Sequence, residues 1–135
     1  MLQIILASHG HLASGFNSAL DVLTGSCTIK VFDAFLDEQS LKDIIADNLK
    51  SIEAEDTLVM CSDLYGGSVN QTMALFLDRP HTYLIAGVNL AFLLELSLKT
   101  EITEEELETL IDESREALRL VKLEEIDSES ADAFF

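Results

Sequence analysis

A histidine near the N-terminus occupies a position where α/β proteins commonly place reactive side chains. His9 follows the apolar run Ile4-Ile5-Leu6-Ala7-Ser8 and precedes Gly10. The run predicts a short strand, and the end of a strand that leads into a glycine-containing loop is a usual location for a ligand-binding residue. Because the unperturbed pKa of an imidazole is about 6.5, a histidine here can accept and release a charged group near neutral pH.

A second polar segment, Cys61 to Asn70, leaves a predicted strand and enters a predicted helix. Asp63 occupies the same kind of strand end as His9. A carboxylate that accepts a hydrogen bond from one ring nitrogen fixes the imidazole tautomer and leaves the other nitrogen as a nucleophile. The run Gly66-Gly67-Ser68 then supplies N–H groups and a hydroxyl at a helix start, where anions bind. Together the two segments predict a nucleophile, a carboxylate that orients it and a phosphate cradle.

The pattern along the chain predicts the fold that positions these segments. Apolar runs without strict alternation predict strands at 2–8, 28–33, 57–62 and 82–86. Stretches of helical period predict helices that begin near Leu12, at Leu41 and near Val69, with two more near 90–99 and 104–120. This alternation favours a flavodoxin-like, doubly wound α/β fold with parallel strands in the order 2-1-3-4. In that order strands 1 and 3 are neighbours, so His9 and Asp63 should meet at the edge where such sheets bind ligands.

Local signals predict where several elements end. Gly25 should stop the first helix, and Ser40-Leu41-Lys42-Asp43 resembles a capping box that opens the second, with aspartate in the usual Glu/Gln place. Pro80 should stop the third helix near Leu77. Residues 121–126 are a candidate antiparallel edge strand. We expect one domain over 1–126, followed by a disordered acidic tail at 127–135.

Composition excludes several classes of partner. The 135 residues are 48% hydrophobic, which is enough for one domain with a core. The formal net charge of −17 disfavours nucleic acid and anionic membranes and favours a basic protein partner. No signal-peptide pattern and no apolar run near the roughly 20 residues of a membrane span is present, so a cytoplasmic protein is expected. Cys27 and Cys61 are expected to be reduced, packed thiols.

In its motifs the chain resembles the mannose-type (mannose/fructose/sorbose) enzyme IIA components of the bacterial sugar phosphotransferase system. The resemblance covers about residues 1 to 120. It rests on three ordered motifs: Ser8-His9-Gly10 after the first strand, Asp63-Leu64-Tyr65-Gly66-Gly67-Ser68 with Asn70, and Ile85-Ala86-Gly87-Val88-Asn89-Leu90 before a helix.

This resemblance implies a phosphocarrier. In the family, the active histidine takes a phosphoryl group from the histidine-containing phosphocarrier protein and hands it to a histidine of enzyme IIB, indirectly serving the membrane components IIC and IID. His9 matches that histidine, Asp63 matches the aspartate that orients it, and Ser68 with Gly67 matches the loop around the phosphate. The resemblance also implies a homodimer, in which a C-terminal edge strand can be exchanged. It does not identify the sugar.

The charge near the motifs agrees with such a role. A phosphocarrier must release its phosphoryl group to a partner, and a strong cationic clamp would trap it. Neither motif has a Lys or Arg close to it in sequence. We therefore expect a shallow site that is open to a partner's histidine.

Other residues near the motifs are accessory candidates. His11 either contacts the phosphoryl group or a partner, or simply lies in the loop, and the loop is favoured. Asn89 follows another strand end and is a candidate for the border of the site. Tyr65 is expected to face a partner rather than act as an acid, and His81 is expected to be structural.

Rival functions lack the residues that their chemistry needs. A histidine-dependent phosphatase or mutase requires arginines on the phosphate, one of them just before the histidine, where this chain has Ser8. A metal or tetrapyrrole site on His9 and His11 lacks further ligands at the usual spacing, and residues 8–14 resemble a flavin phosphate loop only faintly. No metal and no cofactor is expected. Within the family, the phosphotransfer subunit of a dihydroxyacetone kinase system is the alternative, although the Gly-Gly-Ser and Ala-Gly-Val-Asn motifs favour the sugar-transport branch.

Overall fold

The computed structural model describes residues 1–25, 29–34 and 40–123. Within these ranges, four strands alternate with helices along the chain. The strands are β1 (Leu2–His9), β2 (Lys30–Ala34), β3 (Thr57–Ser62) and β4 (Thr82–Ala86). The helices are α1 (Leu12–Thr24), α2 (Leu41–Leu49), α3 (Ser68–Ala74), α4 (Leu90–Ser97) and α5 (Glu104–Arg115).

The strands form one parallel sheet in the order β2-β1-β3-β4, which confirms the predicted α/β fold and strand order. The register pairs His9 with Ala34 on one side of β1 and Ala7 with Ser62 on the other. Ser62 in turn pairs with Ala86 of β4. All four strands therefore end close to one another along a single edge of the sheet.

The sheet is covered on both faces, as its unbroken apolar runs predict. Successive strand residues point to opposite faces, and Ile5 and Leu6 of β1 are both fully buried. One core cluster, which includes Leu6, joins the sheet to α1, α4 and α5. The other, which includes Ile5, joins it to α2 and α3. Two packed layers thus fix β1, and with it the edge that carries His9.

The predicted stop of α1 at Gly25 is confirmed. Gly25 has a φ of 80°, in the left-handed region that glycine enters without strain, and its N–H donates to the Asp21 carbonyl at 2.9 Å. The capping box at α2 is wrong in one respect, because the Ser40 side chain makes no capping hydrogen bond although α2 begins at Leu41 as predicted. The aspartate three residues later is one carbon shorter than the Glu or Gln of that motif, which weakens the reciprocal arrangement.

Two helices end earlier than predicted. α3 ends at Ala74 instead of near Leu77, and the chain continues in tighter turns, with the Leu77 N–H donating to the Ala74 carbonyl at 3.2 Å. α5 ends at Arg115 instead of near residue 120, where the Leu118 N–H donates to the Arg115 carbonyl at 3.3 Å. Bonds that span three residues are typical of the tightened last turn of a helix.

Several predictions fall on or beside residues that the structure does not describe. Of the candidate edge strand at 121–126, the described residues 121–123 are exposed and form no strand, and the remainder lies outside the described ranges. The predicted tail at 127–135 and Cys27 also lie outside them. Cys61 is a buried free thiol, and burial raises its pKa above the usual range. None of the described helices has the length and apolar character needed to cross a membrane.

Candidate functional site

His9 and Asp63 meet at the carboxyl edge of the sheet, where β1 and β3 lie side by side. The Nδ1 atom of His9 lies 3.0 Å from Oδ2 and 3.2 Å from Oδ1 of Asp63. The same Oδ2 accepts the backbone N–H of His9 at 3.0 Å. The His9 side chain is 42% exposed, whereas that of Asp63 is only 9% exposed. The carboxylate thus holds both the backbone and the ring of a histidine that solvent can reach.

Ser68, the first residue of α3, contacts the other ring nitrogen. Its Oγ lies 3.1 Å from Nε2 of His9. An ionised carboxylate only accepts hydrogen bonds, so in the neutral ring Nδ1 carries the proton and the lone pair of Nε2 accepts the Ser68 hydroxyl. One loop, 63–68, therefore contacts both nitrogens of the imidazole and selects the tautomer whose Nε2 is nucleophilic.

The glycines of this loop allow its close approach to the ring. A Cβ atom on Gly67 would lie 3.3 Å from Cε1 of His9 and 3.4 Å from the Leu64 side chain, closer than a side chain packs comfortably. Gly66 has a φ of 74°, a conformation that residues with a side chain rarely adopt. The Gly-Gly pair thus brings the start of α3 against the imidazole.

Two amide side chains of α3 tie this helix to the end of β3 and to the loop 63–68. The buried Ser62 hydroxyl donates to Oδ1 of Asn70 at 3.0 Å. Nε2 of Gln71 donates to the Gly66 carbonyl at 3.1 Å. Asn70 belongs to the second motif, but its bond to Ser62 was not predicted, although a serine that ends a strand and an asparagine eight residues later are the local signal. These bonds fix the ends of the segment that orients His9.

His11 is paired as well, and does not simply lie in a loop. It is the N-cap residue of α1, its Nδ1 lies 3.2 Å from Oδ2 of Asp33, and its side chain is 82% exposed. Oδ1 of Asp33 accepts the Ser14 N–H at 3.0 Å, and Oδ2 accepts the Ser14 hydroxyl. Burial raises the pKa of Asp33, but the hydrogen bonds from Ser14 and His11 outweigh it, and the net pKa is lowered. No sequence motif predicts this role for Asp33.

Asn89 holds two helices together at the end of β4. Its Oδ1 accepts the Phe92 N–H at 2.8 Å, and its Nδ2 donates to the Ser114 carbonyl at 2.7 Å. A cavity of about 100 Å³ lies beside it, lined in part by Gly87 and Arg115. The Asn89 amide is therefore occupied at both ends by α4 and α5, in a structural role.

Two further residues near the predicted motifs are Tyr65 and His81. Tyr65 lies within the loop 63–68 that holds His9, and its side chain is exposed. His81 precedes β4 with a φ of 57°, and its carbonyl accepts the Leu58 N–H at 2.8 Å. Among the described residues, no group of three or more His, Cys, Asp or Glu side chains is arranged to hold a metal ion.

Comparisons with known proteins agree with this geometry. A family model described as PTS system fructose IIA component matches residues 3–115. Among curated protein sequences, none matches this chain. A Klebsiella pneumoniae protein described as a phosphoenolpyruvate-dependent sugar phosphotransferase system permease is 27% identical with a TM-score of 0.80, over 88% of this chain and 90% of that one.

Two further solved structures share the fold. The mannose/sorbose-specific IIA subunit of the phosphotransferase system from Enterococcus faecalis is 23% identical with a TM-score of 0.75, over 90% of this chain and 95% of its own. The IIA protein associated with the fucose utilization operon of Streptococcus pneumoniae is 22% identical with a TM-score of 0.76, over 91% of this chain and 95% of its own.

Proposed function

Because this chain belongs to the family of IIA components of the sugar phosphotransferase system, we propose that it carries a phosphoryl group on Nε2 of His9. In this proposal the histidine-containing phosphocarrier protein donates the group, and a histidine of enzyme IIB receives it. The observation that carries the proposal is the pairing of Nδ1 with Asp63, which leaves Nε2 directed at Ser68. Membership in the family gives a phosphotransfer role in sugar transport, and the pairing supports Nε2 as the atom that accepts the group.

The transfer step balances on the residues described above. The lone pair of Nε2 forms a bond to phosphorus while the P–N bond of the donor breaks and returns its electron pair to the donor's imidazole. Positive charge develops on the His9 ring, and the Asp63 carboxylate stabilises it through the Nδ1 proton, which stays in place. The phosphoryl oxygens then accept hydrogen bonds from the Ser68 hydroxyl and from the N–H group of Gly66, whereas the Gly67 N–H donates to the Leu64 carbonyl at 3.3 Å and holds the loop in shape. Passage to enzyme IIB is the same step in reverse.

The surroundings of His9 suit transfer between proteins. The ring is partly exposed, and the side chains of Leu64 and Tyr65 project into solvent beside it. A docking partner can therefore cover the site and exclude water while its own histidine approaches. Since the chain carries a formal charge of −17, the partner face that docks here should be basic.

The remaining parts of the proposal have two sources. The homodimer and the service to the membrane components IIC and IID come from the resemblance, and the cytoplasmic location and the one functional domain over 1–126 come from the sequence pattern. A phosphatase is disfavoured by Ser8, the residue before the histidine. Its buried Oγ accepts the Ala13 N–H at 2.6 Å, so this position packs against α1 and does not bind phosphate. The subunit of a dihydroxyacetone kinase system stays the alternative, because it uses the same histidine.

The test is phosphorylation of the purified chain by phosphoenolpyruvate and the two general phosphotransfer proteins. We expect an acid-labile, base-stable label that maps to His9, is lost in His9→Ala and is kept in His81→Asn, a matched change of a histidine outside the site. No label on the wild type, or label that persists in His9→Ala, overturns the proposal. Mixing the labelled protein with enzyme IIB or with a dihydroxyacetone kinase then separates the two branches.

A further inference from the structure

A second histidine–carboxylate pair lies at the same edge of the sheet as His9 and Asp63. β1 lies between β2 and β3, and each neighbour supplies one carboxylate. Asp63, just after β3, holds Nδ1 of His9, and Asp33 of β2 holds Nδ1 of His11 at 3.2 Å. In both pairs the carboxylate contacts Nδ1, so Nε2 of each imidazole points away from its carboxylate. The proposed transfer chemistry uses the first pair and assigns nothing to the second.

The two histidines are close enough to interact electrostatically. Only Gly10 separates them, so their Cα atoms lie at most about 7 Å apart. Gly10 has a φ of 57°, which turns the chain between them instead of extending it. The Debye length at physiological ionic strength is about 8 Å, so salt screens an interaction over this distance only in part.

A phosphoryl group on His9 would add negative charge to an edge that already holds two carboxylates. The group carries about two negative charges at neutral pH. Asp33 is ionised there, because hydrogen bonds from Ser14 and His11 outweigh burial and hold its pKa below the usual range. Neither 1–25 nor 57–78, the segments that carry both histidines and Asp63, contains a Lys or Arg. His11 is the side chain in these segments that can gain a positive charge beside His9.

We propose that His11, held by Asp33, takes up a proton when His9 is phosphorylated and thereby stabilises the phosphoryl group; this inference rests on the proposed function. Of the groups in contact with the His11–Asp33 pair, Ser14 of α1 is uncharged. The titratable neighbour on β1 is His9, and the other charged residue on β2 is Lys30, at the opposite end of that strand. A histidine suits a carrier better than a lysine or arginine. Its positive charge is lost again when the phosphoryl group leaves, so it stabilises the group without trapping it.

The first test compares wild type with His11→Gln, which retains a hydrogen-bond donor for Asp33 but cannot become charged. Each is mixed with the phosphorylated histidine-containing phosphocarrier protein near neutral pH, and the equilibrium constant for transfer is measured. We expect it to fall by about two- to sevenfold, the range for two negative charges that lose one positive charge across about 7 Å of water, from partly screened by physiological salt to unscreened. The loss should shrink in about 1 M salt, and His81→Asn should match the wild type.

The second test needs no variant and reads the protonation state directly. In protein with ¹⁵N-labelled histidine at constant pH, the His11 ring signals should move toward the doubly protonated form when His9 is phosphorylated. Equal equilibrium constants in wild type and His11→Gln, or His11 signals that stay unchanged on phosphorylation, overturn this inference alone. A wild type that is not phosphorylated on His9 overturns the proposed function with it.

Discussion

Replacing Asp63 by alanine should slow phosphoryl transfer much more than it destabilises the fold. The side chain is 9% exposed and accepts three contacts from His9, at 3.0 Å from the backbone N–H and at 3.0 and 3.2 Å from Nδ1. A hydrogen bond to a charged group contributes about 1.5–3 kcal/mol. During transfer the ring contact stabilises the positive charge that develops on the imidazole, so its loss should lower the transfer rate by about 10- to 100-fold, at 1.4 kcal/mol per factor of ten. The free energy of unfolding should fall by about 1–3 kcal/mol.

The assay is rapid-quench measurement of transfer from the phosphorylated phosphocarrier protein, together with urea denaturation. Asp56→Ala is the matched control, because Asp56 precedes the opposite end of β3, is buried, and pairs with the N-terminal amine at 3.2 Å. We expect it to lose stability without losing transfer rate. If Asp63→Ala transfers as fast as wild type, the carboxylate does not orient His9. If Asp56→Ala is equally slow, the loss of rate reflects stability and the reasoning also fails.

Two further predictions concern residues that hold the site in place. Asn70→Ala removes the partner of the Ser62 hydroxyl and should slow transfer by about three- to tenfold. The control is Asn48→Ala, which loses a 2.9 Å bond to the Ile44 carbonyl on α2 and should leave the rate unchanged. Equal transfer rates in the two variants would refute a positioning role for Asn70. Asp33→Asn should lower the free energy of unfolding by about 1 kcal/mol near pH 7. Because the folded pKa of Asp33 is lowered, its contribution is present above the unfolded value of about 3.9 and is lost as pH falls through the folded pKa. The free energies of unfolding of variant and wild type should therefore converge as the pH is lowered through that range.

The strand order could be predicted from the sequence, whereas the ends of two helices could not. Strands buried on both faces are visible as unbroken apolar runs, and the order of a parallel sheet then decides which strand ends are neighbours. The end of α5 was missed because Leu118 continues the apolar period of that helix, yet this side chain is exposed in the structure. Periodicity counts apolar residues, but whether a surface is present for them to cover depends on the tertiary structure.

In the site, too, local sequence signals predicted some residues, and only the tertiary structure revealed others. His9, Asp63 and Ser68 were predictable because each follows or opens a regular element at a known edge. Asp33 was not, because its role depends on the register that places it opposite Ser8, and nothing in the local sequence reveals that register. Asn89 had a local signal of another kind, since an asparagine directly before an apolar helix is typical of an N-cap. That signal favours a structural role for Asn89 rather than a place at the border of the site.

The two histidine–carboxylate pairs at the end of β1 show why similar local geometry supports two different roles. Asp33 accepts the N–H and the hydroxyl of Ser14, so a carboxylate already occupies the start of α1, and a phosphoryl group on His11 would be repelled there. At α3 the N-cap is Gly67, which has no side chain to occupy the helix start, and the Ser68 hydroxyl lies at Nε2 of His9 instead. His9 can therefore accept the negative charge of a phosphoryl group, whereas the favourable change at His11 is the binding of a proton. The identity of the residue at each helix start, more than the histidine–carboxylate pair itself, determines which imidazole accepts the group.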